Sequence, residues 1–219
     1  MRLNKNQKLI ISCDGGAASG KSTGARLIAR KYNLKFLSSG LLYRYASYLI
    51  LKNKPKNKFS FLRKKFKNLQ LKKIKKINLH TPKISSHTSE IAKVNQIRKI
   101  LKFYQVNFAK KNNKCIIEGR DISTKIIPNS DIKFFFKCKI DLASKRRFKE
   151  LRKKRIKIKL IDVKKSLKIR DKRDKKRKHS PLLKHRDALV IDTGKLSIPA
   201  MIKKMSLIID RKIKTKYGS

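Results

Sequence analysis

The chain has very little negative charge to set against its positive charge. Only 13 Asp and Glu face 63 Lys and Arg, a formal net charge of +50 over 219 residues. Tryptophan is absent, and there are only three cysteines. Cys13, Cys115 and Cys138 form no CxxC pair and no other metal-ligand spacing; each lies in or beside an apolar run, so buried free thiols are expected. His80, His87, His179 and His185 are scattered and are expected at the surface. No apolar run approaches the ~18 residues of a membrane span, and the N-terminus lacks the apolar core of a signal peptide, so the expectation is a cytoplasmic protein with no membrane partner.

The shortage of acidic groups, taken alone, argues for a polyanionic partner such as nucleic acid. A second source for the same excess is codon bias: Lys is abundant alongside Ile and Asn, and the basic residues spread along nearly the whole chain. That reading, combined with binding of a small phosphorylated substrate, is preferred over a dedicated nucleic-acid surface. At 39% hydrophobic residues the chain can build a core. Its length suits one domain with insertions.

What is present is an alternation of short apolar runs and helical patterns. Residues 8–13, 35–37, 115–117, 132–136 and 188–191 read as buried strands, with a helix from Lys21 to Arg30 and another opening at Ser39 and Gly40. Strands alternating with helices imply a parallel sheet in an α/β fold. Ile91, Val94, Ile97, Leu101, Tyr104 and Phe108 recur at three- and four-residue steps, one apolar stripe on one long helix. Residues 53–79 are Lys-rich and read as a small mobile insertion. Residues 141–179 carry few apolar groups and, on charge alone, read as a solvated helical hairpin.

Gly15-Gly16-Ala17-Ala18-Ser19-Gly20-Lys21-Ser22 matches GxxxxGK[ST] throughout, between a strand and a helix. Such a loop turns its N–H groups inward onto an anion at a helix N-terminus. Lys21 can reach β- and γ-phosphates, and the Ser22 hydroxyl can ligate Mg²⁺. Gly15 to Thr23 is therefore the expected ATP site. Asp14 beside it can orient Mg²⁺ or the attacking phosphate, or act as a hydrogen-bonded cap.

The loop does not identify the acceptor; further motifs bear on it. Asp14 through Thr23, then Ser39-Gly40-Leu41-Leu42-Tyr43-Arg44, resemble the opening of the bacterial cytidylate kinase family. Glu118-Gly119-Arg120-Asp121, leading through Thr124 to Pro128, is similar to the same family. So are Arg170-Asp171, Asp174, Arg177 and Pro181-Leu182 at their spacing, and the run from Asp187 to Asp192. The likeness extends from about Lys8 to Ile209, apart from residues 53–79. The family usually carries Pro at the place of Gly16 and Asp at the place of Ser38.

The resemblance implies a P-loop NTPase fold with a five-stranded parallel sheet flanked by helices, forming a single nucleoside monophosphate kinase domain. Its core would be residues 1–38, 112–140 and 181–219, with an acceptor-binding insertion at 39–111 and a helical lid at 141–180. The implied activity is ATP-dependent phosphorylation of CMP, with dCMP as a second acceptor and Mg²⁺ as cofactor, in a monomer with no specific nucleic-acid partner. The rivals are a P-loop kinase for adenylate, uridylate or thymidylate, and a basic nucleic-acid-binding P-loop protein. By position, the acceptor contacts would be Ser39, Arg44, Ser89, Arg98, Arg120, Asp121, Arg170, Asp174 and Arg177. Lys21, Arg170, Asp174 and Arg177 would be catalytic, and Ser22 and Glu118 would hold the metal. Seven residues separate Arg170 from Arg177, so a helix would place them with Asp174 on one face. Cytosine offers an N4 donor beside N3 and O2 acceptors. An arginine and a carboxylate facing those atoms would meet uracil donor to donor and acceptor to acceptor.

Overall fold

In the computed structural model, residues 4, 6–74, 77–153 and 155–218 are described. Positions 75, 76 and 154, which fall within the expected insertion and lid, and positions 1–3, 5 and 219 of the expected core lie outside the described residues.

Five strands form one sheet in the order β2-β3-β1-β4-β5. They are β1 (Leu9–Gly15), β2 (Lys35–Ser38), β3 (Lys114–Gly119), β4 (Ile132–Lys137) and β5 (Leu189–Asp192). β1 pairs in parallel with both β3 and β4, Ile11 lying opposite Ile116 on one side and Ile132 on the other. A strand enclosed on both edges and both faces has no polar side to show, and all seven residues of β1 are buried. Helices α1 (Lys21–Lys31) and α9 (Ile198–Tyr217) cover the sheet through Ala25, Ile28, Met201, Met205 and Ile209, packed on Ile11, Phe134 and Phe136.

The chain divides into two compact units, Met1–Leu37 with Asn112–Ser219, and Ser38–Lys111. The second is helical: α2 (Ser39–Asn53), α3 (Lys58–Lys67), α4 (Leu71–Ile74), α5 (Pro82–Ile91) and α6 (Asn95–Lys111). The expected insertion at 53–79 is thus not an unpatterned segment. Asn57 caps α3 by accepting from the N–H groups of Phe59 and Ser60, and Leu62, Phe66, Ile74 and Leu79 are buried. Phe66 meets Tyr104 edge-on, ring centroids 6.0 Å apart.

The single long helix expected from the apolar stripe is in fact two. Lys93 N–H donates to Glu90 O and Val94 N–H to Ile91 O, so the chain tightens to three-residue bonds between α5 and α6. Ile91 ends one helix and Ile97 lies in the next; the stripe continues across the break because both helices bury the same kind of residue.

In the first unit, α7 (Ile140–Lys153) and α8 (Leu160–Lys176) form the expected hairpin, but it is not merely solvated. Ala143, Leu151, Val163 and Leu167 form a small apolar cluster that includes Ala17, with Phe148, Ile156 and Ile158 packed around it. Among the thiols, Cys13 and Cys115 are buried as expected, whereas Cys138 is only half-buried. The histidines are less exposed than expected: His80, His87 and His185 are half-buried, and only His179 is exposed. His87 Nδ1 lies 2.8 Å from the Ser47 hydroxyl.

Candidate active site

β1 ends at Gly15 and α1 begins at Lys21, so the loop between them is held at the C-terminal edge of the sheet. Gly20 adopts φ 81°, a left-handed turn that an L side chain rarely accepts. Thr193, just after β5, holds this turn: its methyl lies 3.2 Å from where a Cβ on Gly20 would stand, and its hydroxyl bonds Ser19 O at 3.0 Å. Arg146 of α7 fixes Thr193 in turn, donating to its Oγ1 at 2.9 Å and its carbonyl at 2.8 Å. No side chain caps α1, so the amides of its first turn are left to an external anion. Ser19 Oγ is also buried, with no hydrogen-bond partner among the described residues.

Lys21 is not the exposed loop residue that its position suggests. It is 8% exposed, donates to Gly16 O at 3.0 Å and lies 4.0 Å from Glu118 Oε2. Burial, and then the charge of Arg120, pull its pKa down to about 7 against the opposing pull of Glu118. Ser22 is half-buried on the first turn of α1 and Thr23 is exposed.

Arg120, one residue past β3, ties this region together. Its Nη1 donates to Gly15 O at 2.7 Å and to Gly16 O at 3.2 Å, while its Nε donates to Asp174 Oδ2 at 2.7 Å. Burial raises Asp174, but Arg120, Arg170 and Arg177 outweigh it and hold the carboxyl below its usual range. Arg170 is pulled down to about 10 by burial and by Arg120. Arg177 does not share the helix with Arg170 and Asp174; α8 ends at Lys176 and Arg177 is extended, φ −65° and ψ 139°. Its guanidinium still reaches Asp174 at 3.4 Å and Asp121 at 3.8 Å.

Asp14, open to several roles on sequence, is a hydrogen-bonded cap. One carboxylate oxygen accepts from Ile122 N–H at 2.8 Å and the other from Ser123 N–H at 2.7 Å and Ser123 Oγ at 2.6 Å. These bonds anchor a π-helical turn, Ile122–Ile126, which follows the Arg120-Asp121 pair. Burial nevertheless pushes Asp14 up to about 6.

The remaining expected acceptor residues belong to the helical unit. Ser38 caps α2 by accepting from Leu41 N–H at 3.2 Å, and Ser39 beside it is buried. Arg44 donates from Nη1 to Leu79 O at 3.0 Å and to Ser85 Oγ at 2.7 Å. Ser89 is no helix cap: it lies late in α5 and its hydroxyl donates to Ser85 O at 3.3 Å. Arg98, in the first turn of α6, donates to Ala92 O at 3.0 Å and lies 5.6 Å from the Tyr43 ring centroid.

The structure thus gathers the phosphate loop, Glu118, Arg120, Asp121, Arg170, Asp174 and Arg177 in one unit, and Ser39, Arg44, Ser89 and Arg98 in the other. Arg146, Thr193 and Ser123 were not singled out by sequence. Each acts through a backbone group or another side chain, which leaves no motif to read. Asp171, next to Arg170, was visible in the sequence but had no assigned part.

Comparison with known proteins bears on the family and the fold. The family described as Cytidylate kinase matches residues 11–211. The cytidylate kinase of Rickettsia africae (strain ESF-5) is 35% identical over 209 residues, 95% of this chain and 94% of its own length. That of Rickettsia canadensis (strain McKiel) is 35% identical over 202 residues, 92% of each. Among solved structures, an uncharacterized protein from Eubacterium ventriosum ATCC 27560 superposes with a TM-score of 0.58 at 18% identity, covering 94% of this chain and 99% of that one. Shikimate kinase from Bacteroides thetaiotaomicron gives 0.52 at 10% identity, covering 93% and 99%. The fold is that of a P-loop kinase, and the chain belongs to the cytidylate kinase family.

Proposed function

We propose that the protein transfers the γ-phosphoryl group of ATP to the phosphate of CMP, giving ADP and CDP, with dCMP as a second acceptor. The supporting observation is the convergence of Lys21, Arg120 and Arg170 on a phosphate loop whose helix has no side-chain cap. Burial, and then the charge of Arg120, depress both Lys21 and Arg170, a setting unfavourable to the cations by themselves and favourable around a polyphosphate. The names of the relatives support CMP as the acceptor.

In this reading Gly15 to Thr23 hold the ATP phosphates. Ser39, Arg44, Ser89, Arg98, Arg120 and Asp121 hold the nucleoside monophosphate. Lys21, Arg170 and Arg177 offset charge spreading over the transferring group, and Asp174 orients the arginines. The acceptor phosphate is already ionised at neutral pH, so no strong general base is needed, and catalysis rests on alignment and electrostatics.

Among the described residues no cluster of three or more His, Cys, Asp or Glu could hold a metal ion. A hydroxyl on Ser22 and a carboxylate on Glu118 are the donors available, a sparse set that fits Mg²⁺, which keeps much of its water and binds through substrate phosphates. When bound, Mg²⁺ would neutralise charge on the β- and γ-oxygens. Residues 39–111 are assigned to acceptor binding and 141–180 to the lid, in a cytoplasmic monomer. No helix among the described residues is long and apolar enough to cross a membrane.

The test is ADP formation from ATP with each of CMP, dCMP, UMP, AMP and TMP. CMP and dCMP are expected to be turned over well above the others. Equal rates with CMP and UMP would overturn the choice of base, and no acceptor-dependent ADP with any of them would overturn the kinase assignment.

A further inference from the structure

The phosphate loop already holds an anion, and it comes from the protein itself. Asp171 of α8 accepts the Ala17 N–H at 2.9 Å through Oδ1. Its other oxygen lies 2.9 Å from where a Cβ on Gly16 would stand, so the carboxylate occupies space that only glycine leaves open. Lys21, Arg120 and Arg170 are all close enough for Asp171 to influence their ionisation. Those three cations and a loop amide are the surroundings a phosphate oxygen would require. The apolar contact between Ala17 and the hairpin residues Val163 and Leu167 seats α8 in this position.

We propose that Asp171 is an internal stand-in for phosphate: its carboxylate latches α8 onto the nucleotide-free loop and must leave before the donor's phosphate can take the Ala17 amide. The inference rests on the kinase reading and adds a step to it. Glu118 and Asp174 offset part of the repulsion among the three cations, and the Asp171 carboxylate adds to that on the loop side until a triphosphate arrives. Once the phosphate is bound, like charge drives Asp171 away. Arg170, its neighbour in sequence, already stands among the same cations and stays to face the phosphate when the carboxylate leaves. The lid thus has two seats, one for the empty loop and one for the loaded loop.

Two substitutions remove the latch in different ways. Asp171→Ala deletes the carboxylate. Gly16→Ala keeps every charge but places a methyl 2.9 Å from where Asp171 Oδ2 now lies, too close for the carboxylate to stay, and Gly16 is not in the left-handed region that would strain alanine. Equilibrium binding of inorganic tripolyphosphate, measured by calorimetry, reads the phosphate site without a base or an acceptor. Losing a competing charge-assisted hydrogen bond should tighten binding about tenfold in Asp171→Ala. Gly16→Ala should tighten it in the otherwise unmodified protein and add nothing in the Asp171→Ala background. Unchanged or weaker binding in Asp171→Ala overturns the proposal, as does a Gly16→Ala effect of equal size in both backgrounds. Should Asp171→Ala fail to fold, the Gly16→Ala arm decides alone: tighter binding supports the latch and unchanged or weaker binding overturns it. Failure of the kinase reading would look different, as absence of CMP-dependent ADP formation by the unmodified protein.

Discussion

Arg120 and Asp174 meet at 2.7 Å with side chains only 13% and 15% exposed, joining the end of β3 to the last turn of α8. The same guanidinium holds the carbonyls of Gly15 and Gly16. Removing one partner of such a pair leaves a largely buried charge without its match, typically a loss of about 3–5 kcal/mol. Arg120→Ala is therefore expected to lower thermal stability and to cut turnover at least about a hundredfold. Combined with Asp174→Asn, it should lose much less than the sum of the two single effects. Additive losses in a double-mutant cycle would show that the two residues act separately.

Lys21 combines two roles that pull in opposite directions. Its folded pKa of about 7 lies below the ordinary 10.5, so holding it charged costs stability below pH 7, and the cost fades as pH rises toward 10.5. Lys21→Met should fold at least as stably as the unmodified protein at pH 6.5, yet lose about a hundredfold or more in turnover. A triphosphate beside the ammonium favours its charged form. ATP binding at pH 8 should therefore take up protons, seen as a binding enthalpy that depends on the ionisation enthalpy of the buffer. A buffer-independent enthalpy would count against a depressed Lys21.

Asp14 bears on stability. Asp14→Ala strands two buried N–H groups and a hydroxyl, each worth roughly 1–3 kcal/mol when left unmade, and should unfold the protein at moderate temperature. With its folded pKa raised to about 6 from 3.8, the stability that protonation lends is complete below about 3.8 and is lost as pH rises through about 6. The difference in melting temperature between Asp14→Asn and the unmodified protein should therefore change over that window and level off above it. A difference that stays flat from pH 4 to 7 would contradict the raised value.

The proposed function gives the choice of base to Arg98 and Asp121, both under 7% exposed. Arg98→Ala and Asp121→Ala should raise KM for CMP by about tenfold or more while leaving KM for ATP within roughly twofold, since each removes a buried polar partner. The check is initial-rate kinetics with each substrate varied in turn; equal effects on both substrates would mean that these residues serve the fold rather than the base.

Sequence periodicity was enough for β1, α1, β3 and β4, because strands inside the sheet leave short apolar runs and the loop has its own spacing. It failed between α5 and α6, where Ala92, Lys93 and Val94 make a turn without glycine or proline, the residues that usually mark one. It also failed over α3, where Leu62 and Phe66 lie four residues apart among lysines, and a short amphipathic face is easily lost in so much charge. Within the site, the residues named by motif are gathered, but their bonds were not readable. Lys21 is held inward toward Gly16 O and Glu118, and the latter is nearly a hundred residues away in sequence. Asp171 stood in plain view beside Arg170, three residues before Asp174 and so on nearly the same side of α8. Only the Ala17 amide reveals what it faces.

The position of β1 at the centre of the sheet also has a consequence for how the chain is made. Leu9 must wait for Lys114 and Ile11 for Ile132 before the central strand has either neighbour. At roughly 5–20 residues per second of synthesis, that wait is on the order of ten seconds. Ser38–Lys111 is continuous and helical, and such local contacts form fast, so this unit can be complete before β3 has been translated. Throughout that interval an apolar strand, Leu9–Gly15, has no partner within its own chain and is open to pairing with another. The excess of Lys and Arg, which already runs through this first half of the chain, opposes that encounter, because nascent chains of one sign repel each other before their strands can meet.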